Sequence, residues 1–251
     1  MLDNILIAGG QNHLEIVEMV LQRLNKYGLK ANLKKCESLK DSLEFCGHKI
    51  DKDGLHKTKA KTEAVLLAPR PENVSQLRAF LGLVNYYHKF LPNLATELQT
   101  LYGLLKKGIP WLWTDKTDRA FNKAKRMVAS EQVLAHFHTD VPLKLACDAS
   151  PYGIGAVLSH TYRDGTERPI GFPSRTLNSA EKNYAQIDRE ALALVWVIKR
   201  FHHYLYGRHF VLETDHKPLT AIFRPDQTIS LVKTGGSHAS WHRKKEHAHM
   251  K

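Results

Sequence analysis

The strongest constraint on the fold is the stretch at residues 142–158, where a strand pattern ends in a turn and a second apolar run follows. Leu143, Leu145 and Cys147 alternate with Lys144, Ala146 and Asp148, the period of two that a half-buried strand shows. The Ser-Pro-Tyr-Gly segment that follows is typical of a turn. The pattern therefore predicts two successive strands, with the carboxylate of Asp148 at the end of the first.

Two further carboxylates lie at comparable places along the chain. Glu190 falls beside Ile187 and Leu194 on a predicted helix, so it borders the buried face, and Asp215 closes the alternating run at 209–215. Three carboxylates on separate elements could converge on a metal ion. Taken singly, however, an acidic residue at a strand end is more often a solvated turn residue, and Glu190 could be an ordinary surface residue. Spacing alone leaves both interpretations open.

Five motifs follow one another in this half of the chain: DASPYGIGAVL at 148–158, ERPI at 167–170, SRTLNSAEKNY at 174–184, DREALAL at 188–194 and TDHKPL at 214–219. In this order they closely resemble the ribonuclease H domain of gypsy-type long-terminal-repeat retrotransposon polyproteins. The resemblance to these polyproteins as a whole extends over residues 2–226. It implies that Asp148, Glu190 and Asp215 are the catalytic metal ligands. It also implies two Mg²⁺ or Mn²⁺ ions as cofactors, water as the nucleophile and an RNA–DNA hybrid as the substrate.

The fold class implied is mixed α/β (α+β): a truncated ribonuclease H-like mixed sheet with helices, preceded by a partial reverse transcriptase palm and thumb. The predicted domains are a palm remnant at 1–56, a thumb-like helical segment at 57–108, a connection at 109–141, the ribonuclease H-like domain at 142–228 and a basic, disordered tail at 229–251. Within the ribonuclease H-like domain we predict strands at 143–147, 153–160 and 169–173, a hairpin turn at 163–165, a capping box joining Asn178 and Glu181, and a helix at 186–204.

The first residues, MLDNILI at 1–7, resemble the strand motif of a reverse transcriptase palm. The family has a second aspartate where this chain has Asn4, and a neutral amide is a weaker metal ligand than a carboxylate. We therefore expect Asp3 and Asn4 to be a relic of the motif, with no polymerase activity. The apolar pattern predicts a first strand at 1–7, then a helix at 13–27, and then two short strands at 29–33 and 42–50.

The segment LRAFLGLVNYYHKF at 77–90 resembles the family's thumb, which grips a primer–template duplex. Asn73 or Ser75 can cap this helix, and a second helix is predicted at 95–107 and a third at 117–130. The resemblance implies phosphate contacts from the polar face, which carries Arg78, Asn85 and Lys89. We expect Trp111 and Trp113 to be packing residues, although exposed tryptophans could stack on bases.

The formal net charge of +12 and the pI near 9.5 favour a nucleic-acid partner, although many basic proteins have no specific one. The three cysteines form no CxxC pair, so we expect an intracellular protein of reducing surroundings, in the cytoplasm or the nucleus, and we interpret them as small buried hydrophobic residues. No apolar run approaches the roughly twenty residues that cross a bilayer, so no membrane partner is expected.

After Gln227 the resemblance would require another strand, a helix and a fourth metal-binding aspartate, but no aspartate follows Asp226. His242, His247 and His249 could suggest a metal site, but the tail has no apolar period to hold them in place. The favoured function is hydrolysis of the RNA strand of RNA–DNA hybrids, weakened by this departure. The alternative is a catalytically inactive, retroelement-derived nucleic-acid-binding protein.

Overall fold

A computed structural model describes residues 4–10 and 12–214, together with the backbone of 248–250. The chain divides into two compact units, Met1–Lys52 and Asp53–Lys251. Asp3, Asp215 and the greater part of the predicted tail, with His242 and His247, lie outside the described residues. Among the helices that the structure describes, none is long and apolar enough to cross a membrane.

The first unit contains a helix and a hairpin. The helix α1 (His13–Lys26) buries none of its residues. The strands β1 (Ser42–Phe45) and β2 (His48–Asp51) pair antiparallel across Cys46 and Gly47. Both turn residues have positive φ, 46° and 67°, as the tightest hairpin turns require. The single strand predicted at 42–50 was therefore wrong, because the left-handed turn bends it back on itself.

Two other predicted strands of the first unit do not form. Residues 4–10 belong to no helix or strand, and residues 29–32 lead into a 3₁₀ turn at Leu33–Lys35. A strand persists only when its backbone groups pair with a neighbour, and none of the described strands pairs with either segment. The apolar residues of these segments, such as Ile5 and Leu29, are exposed.

The second unit begins with a helical core. Its elements are β3 (Gly54–Lys57), α2 (Lys59–Leu66), α3 (Val74–Tyr86), α4 (Leu94–Glu97), α5 (Gln99–Gly103) and α6 (Asp115–Ala129). Asn73 caps α3 as predicted, since its Oδ1 accepts a hydrogen bond of 2.9 Å from the Gln76 N–H. The helix predicted at 95–107 is instead two short helices that meet at Leu98, which is completely buried. Packing at that residue overrides the local helical pattern.

The tryptophans of the predicted connection are packing residues. Trp111 and Trp113 lie partly buried against the helical core, and the indole N–H of Trp113 donates a hydrogen bond of 3.1 Å to Asp118. The ring of Trp113 meets that of Phe121 edge to face, with the centroids 5.7 Å apart. This arrangement confirms the packing interpretation over a base-stacking one.

A six-stranded mixed sheet follows the helical core. Its strands are β4 (Leu143–Ala149), β5 (Gly153–Thr161), β6 (Glu167–Gly171), β7 (Ser174–Thr176), β8 (Phe210–Glu213) and β9 (Ala248–Met250). The order is β6-β5-β4-β8-β9, with β7 also paired to β5. Strands β4 and β8 are parallel neighbours, whereas β4 and β5 are antiparallel. The fold is thus mixed α/β, as predicted.

Helices α7 (Gln186–Arg200) and α8 (His202–Leu205) cover the sheet. Ala193, Leu194 and Val197 of α7 pack on the apolar face of β4, which carries Leu145 and Cys147. The predicted helix at 186–204 is interrupted at Phe201, whose φ of −101° and ψ of 18° leave the helical region. Cys147 is buried as expected, whereas Cys36 and Cys46 are exposed.

Two local predictions for this domain are confirmed. The turn at 163–165 joins β5 to β6, with Gly165 at a φ of 81°. Asn178 and Glu181 form a reciprocal capping box, with N–H to side-chain hydrogen bonds of 2.9 and 2.8 Å. The third strand, however, starts earlier than predicted, at Glu167, and β7 forms after Pro173.

Candidate metal and nucleic-acid site

Asp148 stands near the end of the central strand β4, on the face opposite Leu145 and Cys147. Its side chain is exposed, and it pairs across the ladder with Gly155 of β5. On the other side of β4, the last residue of β8, Glu213, pairs with Ala146. The structure thus places Asp148 near the carboxyl end of β4, as the alternating pattern predicted, with the parallel strand β8 beside it.

Glu190 lies in the second turn of α7 and is almost completely buried, with 2% of its surface exposed. The helical pattern predicted that Glu190 borders the buried face, and the structure places its side chain inside that face. An ionised carboxylate in such surroundings loses several kcal/mol of solvation unless hydrogen bonds or a cation compensate. Burial of this kind distinguishes Glu190 from an ordinary surface residue of a helix.

Gln186 connects Glu190 to the strand that carries Asp148. Its side-chain N–H₂ group donates both to Oε1 of Glu190, at 2.7 Å, and to the backbone carbonyl of Ala149, at 3.1 Å. Arg189 in turn donates to Oε1 of Gln186 at 2.7 Å, which fixes the orientation of the amide. One amide therefore holds the buried carboxylate beside the residue that follows Asp148. No motif in the sequence indicated this contact.

Of the three predicted metal ligands, Asp148 and Glu190 both lie near the carboxyl end of β4, and the third, Asp215, lies outside the described residues. Glu190 approaches from the face that α7 covers, whereas Asp148 lies on the opposite, exposed face of the strand. Within residues 4–10 and 12–214, no group of three or more histidine, cysteine, aspartate or glutamate side chains is arranged to hold a metal ion. Asp148 and Glu190 offer only carboxylate oxygens, the donor type that Mg²⁺ and Mn²⁺ prefer. Their chemistry fits a hard divalent cation.

The three predicted nucleic-acid contacts differ in exposure. Arg78 and Asn85 are exposed on α3, seven residues apart and so on one face. The Asn85 amide donates a hydrogen bond of 2.7 Å to the hydroxyl of Tyr102. Lys89 is not on the exposed helix face, because it lies in the 3₁₀ turn His88–Phe90 and is half-buried. Its burial lowers the pKa of the Lys89 ammonium.

A second half-buried lysine, Lys57 of β3, was not predicted from the sequence. Its Nζ lies 5.6 Å from the centre of the Phe90 ring, and that of Lys89 lies 5.7 Å from the same ring. Lys57 also donates to the hydroxyl of Ser130 at 3.4 Å, and burial lowers its pKa to about 8. Only its place in the folded chain reveals it, since Lys57 and Lys89 belong to separate segments.

Of the two residues of the expected polymerase relic, Asp3 and Asn4, the structure describes only Asn4. Asn4 is exposed and belongs to no helix or strand. Asp3 lies outside the described residues, so its role as a relic stays a prediction.

Comparison with known proteins places this architecture among retroelement proteins. Residues 113–212 match the family model of the RNase H-like domain found in reverse transcriptase. The chain is 39% identical over 222 residues to the retrovirus-related Pol polyprotein from transposon 297 of Drosophila melanogaster, covering 87% of this chain and 20% of that protein. It is 36% identical over 222 residues to the Transposon Tf2-7 polyprotein of Schizosaccharomyces pombe, covering 87% of this chain and 17% of that protein. The chain thus spans about a fifth of the length of these relatives.

Solved structures show the same fold at lower identity. The foamy viral protease-reverse transcriptase in complex with RNA/DNA hybrid matches with a TM-score of 0.67 and 21% identity, over 84% of this chain and 29% of that one. The same enzyme in complex with dsDNA matches with a TM-score of 0.65 and 22% identity, over 87% of this chain and 46% of that one. The fold and the relatives agree. The chain is a homologue of long-terminal-repeat retrotransposon polyproteins and contains the RNase H-like domain of a reverse transcriptase.

Proposed function

We propose that this chain hydrolyses the RNA strand of RNA–DNA hybrids with the help of divalent metal ions, through Asp148, Glu190 and Asp215. The observation that carries the proposal is the buried carboxylate of Glu190, which Gln186 ties to the end of β4 beside Asp148. Acidic residues are rarely buried, because removing the charge from water costs several kcal/mol that hydrogen bonds or a cation must offset. Acidic side chains that are buried yet lie close to an exposed carboxylate are candidates for functional sites.

The proposed roles follow from the positions of the side chains. Asp148 and Glu190 would hold the metal, Mg²⁺ or Mn²⁺, with two ions expected. When bound, such ions activate water and neutralise the charge that develops on the phosphodiester. Gln186 holds the Glu190 carboxylate in one orientation, so that Oε1 is hydrogen-bonded and the group does not need to reorganise.

The spacing of β8 supports Asp215 as the third ligand. Glu213 pairs with Ala146 in the parallel ladder. Asp215 follows Glu213 by two residues, and Asp148 follows Ala146 by two residues. If the pairing of β4 with β8 continued beyond the described residues, this equal offset would put the two carboxylates on one face of the sheet.

Binding of nucleic acid is the second part of the proposal. The net charge of +12, the exposed Arg78 and Asn85, and the half-buried Lys89 are suited to contacts with phosphates rather than with bases. The structural neighbours that hold RNA/DNA hybrid and dsDNA share the fold, which supports the same class of partner here.

The test is cleavage of a hybrid whose RNA strand is labelled, in Mg²⁺ and in Mn²⁺. We expect cleavage by the natural chain and its loss, by at least about a hundredfold, in Asp148→Asn and in Glu190→Gln, because each removes a charged metal ligand. Asp188→Asn is the matched control: it makes the same chemical change at an exposed position of α7 and should leave the rate unchanged. Binding of the hybrid without cleavage at any metal concentration would contradict the proposal and favour a catalytically inactive nucleic-acid-binding protein.

A further inference from the structure

The glycine motif of β5 makes room for a neighbouring segment. A Cβ added to Gly153 would lie 2.8 Å from the carbonyl oxygen of Arg175 and 3.3 Å from Oγ1 of Thr96. A Cβ added to Gly155 would lie 2.1 Å from Oδ1 of Asn93. Both glycines are thus needed for close approach, and at Gly155 the approaching group is a side-chain amide of the helical core.

Asn93 has the features of a residue that serves something other than its own helix. It precedes α4 in a left-handed conformation, with φ 51° and ψ 25°, and it is exposed. Its side chain makes no capping hydrogen bond to α4. The amide lies instead over the backbone of Gly155. Asparagine tolerates the left-handed turn, but the turn itself does not require an amide, since glycine adopts it more readily.

The segment that carries Asn93 is held against the sheet on both sides. Oγ1 of Thr96 lies 3.0 Å from the hydroxyl of Ser150, which follows the end of β4. The backbone N–H of Ala95 donates to the hydroxyl of Ser174 at 3.2 Å. These two contacts fix the position of α4 relative to β4, β5 and β7, so Asn93 has a defined place.

That place is next to Asp148. Gly155 and Asp148 stand directly opposite each other in the antiparallel ladder of β4 and β5, so their side-chain positions share one face of the sheet. Directly opposite Cβ positions are about 4.5–5.5 Å apart. The Asn93 amide, which occupies the space above Gly155, therefore borders the Asp148 carboxylate on the exposed face of the candidate site.

We propose that Asn93 contacts the substrate, with its side-chain N–H₂ group donating a hydrogen bond to the sugar–phosphate backbone of the hybrid beside the bond that is cleaved. The inference rests on the proposed function, because it assumes that the hybrid lies over Asp148. A neutral amide suits this place: it can donate to a phosphate oxygen or a 2′-hydroxyl without adding negative charge beside Asp148. The helical core would thereby contribute one residue to a site built mainly by the sheet.

The experiment measures affinity for an RNA–DNA hybrid by fluorescence anisotropy in EDTA, and cleavage separately in Mn²⁺. Asn93→Gly removes the amide and keeps the left-handed turn, so we expect binding about three- to tenfold weaker, the range of one neutral hydrogen bond. Asn93→Asp also keeps the turn but places a negative charge towards phosphate, so it should weaken binding more than Asn93→Gly. Asn122→Ala, which removes an exposed asparagine side chain from α6, is the control and should bind normally.

Gly155→Ala provides an independent test, because its Cβ would displace the Asn93 amide without removing it. We expect the same loss of affinity as in Asn93→Gly, and no additional loss when Gly155→Ala is combined with Asn93→Gly. Wild-type affinity in both Asn93→Gly and Asn93→Asp would overturn the proposal by showing that the residue only forms the turn. Additive losses in the double variant would also overturn it. A natural chain that binds the hybrid but does not cleave it would refute the proposed function alone, whereas one that does not bind would refute both.

Discussion

Replacing Gln186 by alanine should destabilise the protein more than the loss of an exposed residue normally does. Gln186 is itself exposed, so little packing is lost, but its N–H₂ group is a hydrogen-bond donor to Oε1 of the buried Glu190. Hydrogen bonds to charged groups contribute about 1.5–3 kcal/mol, and a buried acceptor that loses its donor pays a similar penalty. At roughly 2–4 °C per kcal/mol for a domain of this size, the melting temperature should fall by about 3–12 °C.

The assay is thermal unfolding without metal and with Mn²⁺. A bound cation compensates the same carboxylate, so Mn²⁺ should restore part of the lost stability in Gln186→Ala. The first unit offers a matched control, since Gln22 donates to Glu18 at 3.2 Å, four residues away on an exposed helix face. Gln22→Ala should cost only about 0.2–0.5 kcal/mol. If both alanine variants lose the same small amount, Gln186 does not hold a buried charge and the reasoning fails.

Three further outcomes follow from the same contacts. The affinity for an RNA–DNA hybrid should fall steeply as the salt concentration rises, and Arg78→Ala and Lys89→Ala should each reduce the slope of the logarithm of the binding constant against the logarithm of salt concentration by about one. Unchanged slopes would exclude these phosphate contacts. Lys57→Met should raise the free energy of unfolding below about pH 8, because the lysine of the natural chain is then charged although half-buried, and the gain should shrink as the pH rises from about 8 to 10.5. Denaturant titrations in which the gain does not depend on pH would refute the burial argument. Gly153→Ala should lower the free energy of unfolding by about 1–3 kcal/mol, since the added Cβ would lie 2.8 Å from a backbone oxygen, whereas Gly82→Ala, on an exposed helix face with nothing within 4 Å, should raise it by about 0.5–1 kcal/mol. Equal changes in the two variants would contradict the close packing at Gly153.

Local patterns predicted the parts of the fold that depend on neighbouring residues. The alternation through Leu145 and Cys147 identified β4, and the pairing of Asn178 with Glu181 identified the capping box. The hairpin at Cys46 was missed because cysteine rarely adopts a positive φ, so the turn resembled the interior of a strand. The residue types near Cys46 do not indicate that it adopts this left-handed conformation.

Contacts between distant segments could not be predicted from one sequence. Gln186 is separated from Ala149 by 37 positions, and nothing in the helical pattern of α7 indicates which strand its amide meets. The approach of Asn93 to Gly155 likewise depends on how the helical core packs on the sheet. The burial of Lys57 arises in the same way. The sequence could therefore nominate the carboxylates but not the residues that hold them in place.

The most direct test of the central claim is Mn²⁺ binding, followed by electron paramagnetic resonance of the free ion, for the natural chain and three variants. If Asp148 and Glu190 share a metal site, Asp148→Asn and Glu190→Gln should each weaken binding by at least about tenfold, since each removes a charged oxygen ligand. Asp188→Asn should bind like the natural chain. Equal affinity in all four proteins would contradict the shared metal site.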